Sequence, residues 1–118
     1  MKRSTQESRL YLADIVEAAG KIEEYTEDVH SLAEFRKSGP IADAVLRNLE
    51  IIGEAVKNLS SEIKAKRSDV DWRRIAGLRD ILAHAYFGID YGIIWDVVEN
   101  KVPELKAAAN EMLKSIPK

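Results

Sequence analysis

The sequence has 118 residues, of which 46% are hydrophobic and 32% are charged, and its formal net charge at neutral pH is −2. This length predicts one domain, residues 1–118, with enough apolar material for a single core. The absence of cysteine excludes disulfides, thiolate catalysis and zinc sites with cysteine ligands. The nearly neutral charge does not indicate a partner, because a basic face can lie within a neutral total.

Targeting and membrane segments are not expected. No stretch approaches the roughly 18 apolar residues of a membrane helix, and the first residues lack the apolar centre of a signal peptide. We therefore expect a soluble, cytoplasmic protein.

Hydrophobic spacing and capping residues predict the first three helices. Over residues 8–25, apolar positions recur at intervals of three and four, which is typical of an amphipathic helix. Ser31 begins an S-x-x-E capping box and predicts a short helix, with His30 as an exposed loop residue before it. After Pro40 the longest regular period predicts a central helix, in which Arg47 could form an ordinary ion pair with Glu50 or Glu54. Its apolar face comprises Ile41, Ala44, Val45, Asn48, Leu49, Ile52, Val56 and Leu59.

The densest basic cluster follows the central helix and comprises Lys57, Lys64, Lys66, Arg67, Arg73 and Arg74. It is either a solvated helix end that complements the helix dipole or a rim that attracts phosphate groups. Asp71 predicts the N-cap of a helix over residues 72–86, and residues 87–90 predict its end and the cap of the next helix. Pro103 either kinks the helix expected over residues 91–102 or starts another one. No segment alternates as a strand does, so the predicted fold is all-α, an antiparallel bundle of four to five helices.

The strongest candidate site lies in residues 79–86, where Arg79, Asp80, His84 and Tyr86 interrupt an otherwise apolar helical segment. Arg79 and His84 diverge by about 140° on an ideal helix. One site containing both would need a loosened helix near His84, or a second copy of the chain across a twofold axis. In such a dimer, two histidines facing one cleft could act as acid and base.

These residue types suit metal-free phosphoryl transfer on RNA. An imidazole can take a proton from a 2′-hydroxyl or give one to the leaving 5′-oxygen, and a guanidinium stabilises charge on the phosphate. Asp80 could orient the imidazole or form an ordinary helical pair with it. The alternative is structural, with a solvated helix flank and His84 and Tyr86 partly buried at a subunit boundary. A metal site is not expected, because His84 lacks further ligands at suitable spacing.

Three blocks of sequence resemble the HepT family of HEPN domains. They are the R-x4-H-x-Y pattern of residues 79–86 within WRRIAGLRDILAHAYFGID, the central-helix segment RNLEIIGEA and the opening segment YLADI. The resemblance implies a HEPN-like helical bundle that forms a homodimer and acts as a metal-independent endoribonuclease toxin on RNA. It also implies a minimal nucleotidyltransferase antitoxin as partner, and no cofactor.

The resemblance also implies roles for single residues. Arg79 and His84 would be the catalytic pair, assisted by Asp80, and Tyr86 would accept the AMP that silences the toxin. Ala85 departs from the acidic residue that relatives often carry there, which leaves activity or recognition of the tyrosine in doubt. The alternative is a non-catalytic helical dimer that serves as partner or AMP-acceptor subunit of the nucleotidyltransferase. A third possibility is general RNA binding through the basic cluster without turnover.

Overall fold

All regular secondary structure in the part of the chain that the structure describes is helical. This computed structural model describes residues 5–83, 88 and 90–116, without the side chains of residues 5, 79, 81 and 83. The elements are α1 (Thr5–Tyr25), α2 (Leu32–Lys37), α3 (Gly39–Asn58), α4 (Ser61–Ala65), α5 (Trp72–Ala83), α6 (Tyr91–Asp96), a π-helical turn (Val97–Lys101) and α7 (Val102–Ser115). These residues contain no β-strand, which confirms the predicted all-α class. Among the described helices, none has the length and apolar character that a membrane span requires.

The four longer α-helices pack around one core. Helix α1 contacts α3 and α7, and α3 also contacts α5. Helix α5 runs antiparallel to α3, because Leu82 near its end lies beside Leu46, whereas Ile75 near its start packs in the region of Ile52. The largest fully buried side chains are Phe35, Leu12, Ile15, Ile22, Leu49, Ile52 and Ile94. Most of the apolar positions predicted on α1 and α3 are therefore core positions.

Local hydrogen bonds explain where three helices begin. The Oγ of Ser31 accepts a hydrogen bond from the backbone N–H of Glu34 at 3.2 Å, and the Glu34 carboxylate accepts one from the N–H of His30 at 2.9 Å. The carboxylates of Asp71 and Asp90 likewise accept from the backbone N–H three positions further on, at 3.2 and 3.1 Å. These contacts confirm the three predicted caps, and His30 is exposed as predicted.

Two elements have no counterpart in the pattern of the sequence. The short helix α4 begins at Ser60, whose Oγ accepts a hydrogen bond from the N–H of Ile63 at 3.2 Å. The second element is the π-helical turn, in which the N–H of Val102 bonds to the carbonyl of Val97. Proline has no N–H, and its ring crowds the carbonyl four residues before it. The wider turn just before Pro103 therefore lets the chain continue from α6 into α7.

The first turn of α1 is fastened to the last turn of α7. The Nη1 of Arg9 donates hydrogen bonds to the carbonyls of Leu113 at 3.0 Å and Ile116 at 2.8 Å. Arg67, which lies just before α5, pairs with Glu111 of α7 at 2.6 Å. The start of α1, the end of α7 and the start of α5 therefore share one end of the bundle, and α5 carries its C-terminal residues towards the other end.

Candidate functional site

Helix α5 carries the first part of the 79–86 motif, and its buried face fixes it on the bundle. Trp72, Ile75 and Leu78 are 7%, 9% and 5% exposed and lie on one face. The indole Nε1 of Trp72 donates to the carbonyls of Lys64 at 3.0 Å and Arg67 at 2.9 Å. This contact ties the start of α5 to the end of α4 and to the residues just after it.

The motif residues divide between the described and the undescribed parts of the chain. The backbone of Arg79 is helical, and Asp80 is exposed on the same helix. His84 and Tyr86 lie outside the described residues, as does the side chain of Arg79. The predicted helix over residues 72–86 is thus confirmed as far as Ala83, and the predicted divergence of Arg79 and His84 stays a prediction.

A shallow groove lies beside the end of α5 on the exposed face of α3. Two adjoining depressions of about 240 and 260 Å³ form it, and their lining comprises Asp43, Leu46, Arg47, Glu50, Ile51, Glu54 and Leu82. Ile51 is 38% exposed there. Arg47 and Glu50 form no ion pair with each other or with another residue of the described chain. The ordinary helical pair suggested by their spacing is therefore not formed, and both charges face outward.

The residues of the basic cluster differ in their exposure and in their contacts. Arg67 pairs with Asp69 at 2.9 Å and Glu111 at 2.6 Å, and the hydrogen bond to Asp69 raises the pKa of Arg67 further above its ordinary value. Arg67 therefore binds carboxylates within the fold. Lys57, Lys66 and Arg73 are exposed, Lys64 and Arg67 are partly covered, and Arg74 lines a cavity near α6.

Comparison with known proteins identifies the family. Residues 15–112 match the family model described as Ribonuclease HepT-like. The chain is 46% identical over 108 residues to "Putative RNase MJ0127" of Methanocaldococcus jannaschii, covering 92% of this chain and 88% of the relative. It is 40% identical over 114 residues to "Probable ribonuclease HepT" of Thermococcus cleftensis, covering 97% of this chain and all of the relative (100%).

A longer relative also matches. "Gamma-glutamylcyclotransferase and putative RNase MJ0434" of Methanocaldococcus jannaschii is 41% identical over 110 residues, which cover 93% of this chain and 49% of the relative. The chain therefore spans about half the length of that protein. No solved structure matches the chain. Because the family model and full-length relatives cover most of its residues, the chain belongs to the HepT-like ribonuclease family.

Proposed function

We propose that this chain is a metal-independent endoribonuclease toxin that cleaves RNA with Arg79 and His84. Two observations carry the proposal. The chain belongs to the HepT-like ribonuclease family, and it has the R-x4-H-x-Y pattern at residues 79–86. The described part of α5 supports it, since the helix that bears Arg79 and Asp80 is anchored by buried residues. A rigid helix is a suitable support for a site whose groups must be held in place.

The proposed reaction needs one base, one acid and one cation. The His84 imidazole of one subunit takes the proton of the RNA 2′-hydroxyl, and the 2′-oxygen forms a bond to the adjacent phosphorus. The bond from phosphorus to the 5′-oxygen breaks, and that oxygen takes a proton from the second subunit's protonated imidazole. The Arg79 guanidinium stabilises the negative charge that develops on the phosphate, and Asp80 assists by orienting the imidazole. The products are a 2′,3′-cyclic phosphate and a 5′-hydroxyl end.

We place the homodimer contact on the α3 groove. Arg47 and Glu50 are adjacent on one helix face and have opposite charges without a partner in the described chain. Across a twofold axis, Arg47 of one copy can meet Glu50 of the other twice, with Ile51 adding apolar contact. Leu82 lines the same groove, so this contact would bring the two copies of the motif near each other.

Silencing is proposed to occur on Tyr86. A minimal nucleotidyltransferase antitoxin would transfer AMP from ATP to the phenolic oxygen, with release of pyrophosphate and of the phenolic proton. On an ideal helix Tyr86 is seven positions from Arg79 and lies almost on the same line. The adenylate would therefore place bulk and negative charge beside the guanidinium and obstruct RNA.

Purified, unmodified protein incubated with RNA and a chelator tests the nuclease. The unaltered chain and His30→Ala should cut and leave cyclic-phosphate ends. His84→Ala and Arg79→Ala should lose at least about a hundredfold in rate, the scale of a lost general acid–base group. His30→Ala is a matched control, because His30 is exposed and is the other histidine of the chain. Equal cleavage by His84→Ala would overturn the assignment.

The same preparations separate the nuclease from its alternative, a non-catalytic AMP-acceptor dimer. Absence of cyclic-phosphate ends from the unaltered protein, combined with an adenylate on Tyr86 after co-expression with the nucleotidyltransferase, would favour the acceptor subunit. Mass spectrometry of Tyr86→Phe should then show no adenylate, whereas Tyr25→Phe, an exposed tyrosine of α1, should keep it. Salt-dependent RNA binding that is unchanged in His84→Ala and produces no cuts would favour RNA binding through the basic cluster.

A charge exchange tests the proposed dimer. Arg47→Glu places like charges at both symmetry-related contacts and should raise the dimer dissociation constant about tenfold or more. The double variant Arg47→Glu with Glu50→Arg restores both attractions and should recover the dimer. Light scattering after gel filtration measures both, with Lys37→Glu, an exposed charge on α2, as control. A double variant that dissociates as readily as the single one would place the interface elsewhere.

A further inference from the structure

A second cavity lies between α5, α6 and the π-helical turn. It has a volume of about 590 Å³, within the usual range of ligand sites. On α5, Arg74 and Leu78 line this cavity, whereas Leu82, one turn further on, lines the groove with α3. The cavity is therefore separate from the proposed dimer groove, although the same helix forms a wall of both.

The floor of the cavity is apolar. Leu78, Ile93 and Val97 supply it, and Ile93 is 47% exposed, whereas its neighbour Ile94 is buried. Gly92, also in the lining, presents no side chain towards the opening. An exposed apolar floor of this kind offers a surface on which a flat ring can lie.

The rim carries two cations and two carboxylates, which differ in how they are engaged. Asp90 accepts a hydrogen bond from the N–H of Ile93 at 3.1 Å, and Asp96 accepts one from the side chain of Asn100 at 2.7 Å. Arg74 and Lys101 form no ion pair within the described chain. The two carboxylates thus accept hydrogen bonds within α6 and the π-helical turn, whereas the two cations are available to bind an anion.

We propose that this cavity holds one nucleotide of the RNA substrate, with the base on Leu78, Ile93 and Val97 and a phosphate on Arg74 and Lys101. The inference rests on the proposed function for the identity of the substrate. Single strands are usually held by bases stacked on aromatic side chains together with cationic contacts to the backbone. In this cavity the aliphatic side chains of Leu78, Ile93 and Val97 would take the place of the rings. The two cations favour this occupant over a purely apolar ligand, whereas the two carboxylates oppose a phosphate placed close to them.

The position of the cavity relative to the motif supports a role in substrate placement. Leu78 directly precedes Arg79 and is six positions before His84, which is about 9 Å along an ideal helix. At about 3.4 Å per nucleotide of a stacked strand, this corresponds to roughly two to three nucleotides. On an ideal helix His84 also lies about 120° around the axis from Leu78. A base in the cavity would therefore lie a few nucleotides along the strand from the proposed cleavage point and fix the register of the strand.

Nuclear magnetic resonance titration of the unmodified protein tests binding directly. AMP and UMP should shift the methyl resonances of Ile93 and Val97, AMP more tightly because its larger base covers more apolar surface. Ribose 5-phosphate should bind at least about tenfold more weakly than AMP. Lys101→Ala should weaken AMP binding by about threefold to tenfold, the scale of one ordinary hydrogen bond or one exposed ion pair. Lys114→Ala, an exposed lysine of α7 outside the cavity, should leave it unchanged.

Two results would overturn the inference. Ribose 5-phosphate binding as tightly as AMP would mean that the rim binds anions and the floor takes no base. A short RNA whose 2′-oxygens are methylated, and which therefore lacks the attacking hydroxyl, should displace AMP from the cavity. Failure to displace it would mean that the cavity takes a free nucleotide and not the RNA strand.

Cleavage kinetics separate this inference from the proposed function. Lys101→Ala and Ile93→Ala should raise KM for RNA about threefold to tenfold with little change in kcat, because they act on binding and not on proton transfer. Leu10→Ala, a 66% exposed leucine of α1, is the control for Ile93. Unchanged KM in both cavity variants would overturn the cavity and leave the nuclease standing. Displacement of AMP by RNA without any cleavage would overturn the nuclease and leave the cavity standing.

Discussion

Replacing Trp72 with phenylalanine should loosen the start of α5. The indole N–H is shared between two carbonyls, at 3.0 and 2.9 Å, and phenylalanine leaves both without this donor. The lost hydrogen bond should cost about 1–2 kcal/mol, and the smaller ring about a further 0.5–1 kcal/mol of apolar burial. We therefore expect the free energy of unfolding to fall by about 1.5–3 kcal/mol.

Trp95→Phe is the matched control for this change. Trp95 is 8% exposed, compared with 7% for Trp72, and packs against Phe35 with ring centroids 5.2 Å apart. Its indole N–H makes no hydrogen bond within the described chain. Only the packing contribution should be lost, so this variant should be destabilised by about 1 kcal/mol or less.

Urea unfolding followed by circular dichroism, at one protein concentration for all samples, measures the difference. The remaining tryptophan in each variant gives an independent fluorescence signal, because the chain has two. Equal destabilisation of the two variants would refute the reasoning, since the contact with the two carbonyls would then contribute nothing. A smaller loss for Trp72→Phe than for Trp95→Phe would refute it more strongly.

Four further substitutions probe single features of the fold. The hydrogen bond from Arg67 lowers the pKa of Asp69 below its ordinary value of 3.8, so the pair stabilises the fold above that value. That contribution should be lost as the pH falls below this ordinary value, so the difference in thermal unfolding temperature between Asp69→Asn and the unaltered chain should shrink as the pH is lowered. Gly88 has φ of 127°, so Gly88→Ala should lower the free energy of unfolding by about 1–3 kcal/mol. Gly20→Ala within α1 should instead raise it by about 0.5–1 kcal/mol. Chemical unfolding measures both changes. Phe35→Ala, at a fully buried position, should cost about 3–5 kcal/mol in the same assay, and a loss below about 1 kcal/mol would contradict its central place in the core.

Local interactions made most of the fold predictable. Ser31, Asp71 and Asp90 form their caps with the backbone three residues away, so each contact can be inferred from a short stretch of sequence. The periodic apolar face of α3 likewise depends on one helix only. The prediction failed for α4, whose few residues give no usable period, and left open how the chain passes Pro103, where the structure has a π-helical turn.

Long-range contacts were beyond prediction. The partner of Arg67 is 44 residues away in Glu111, and no pattern links the two positions, so the arginine was grouped with its basic neighbours. The cavity beside α5 was likewise not predictable, because Arg74 and Lys101 are distant in sequence and are brought together by the packing of separate helices. For the motif itself, sequence places Arg79 and Asp80 on α5, whereas the arrangement of His84 and Tyr86 stays a prediction.

The contact of Arg9 with the end of α7 has a practical consequence for experiments on this protein. It holds residues near both ends of the chain at the end of the bundle where α5 begins. Helix α5 has 12 residues and extends about 18 Å from there. A tether attached at either terminus should therefore leave the far end of α5 and the α3 groove open to solution. Immobilisation in this way should therefore leave the proposed dimer contact and the proposed RNA site without steric interference from the support.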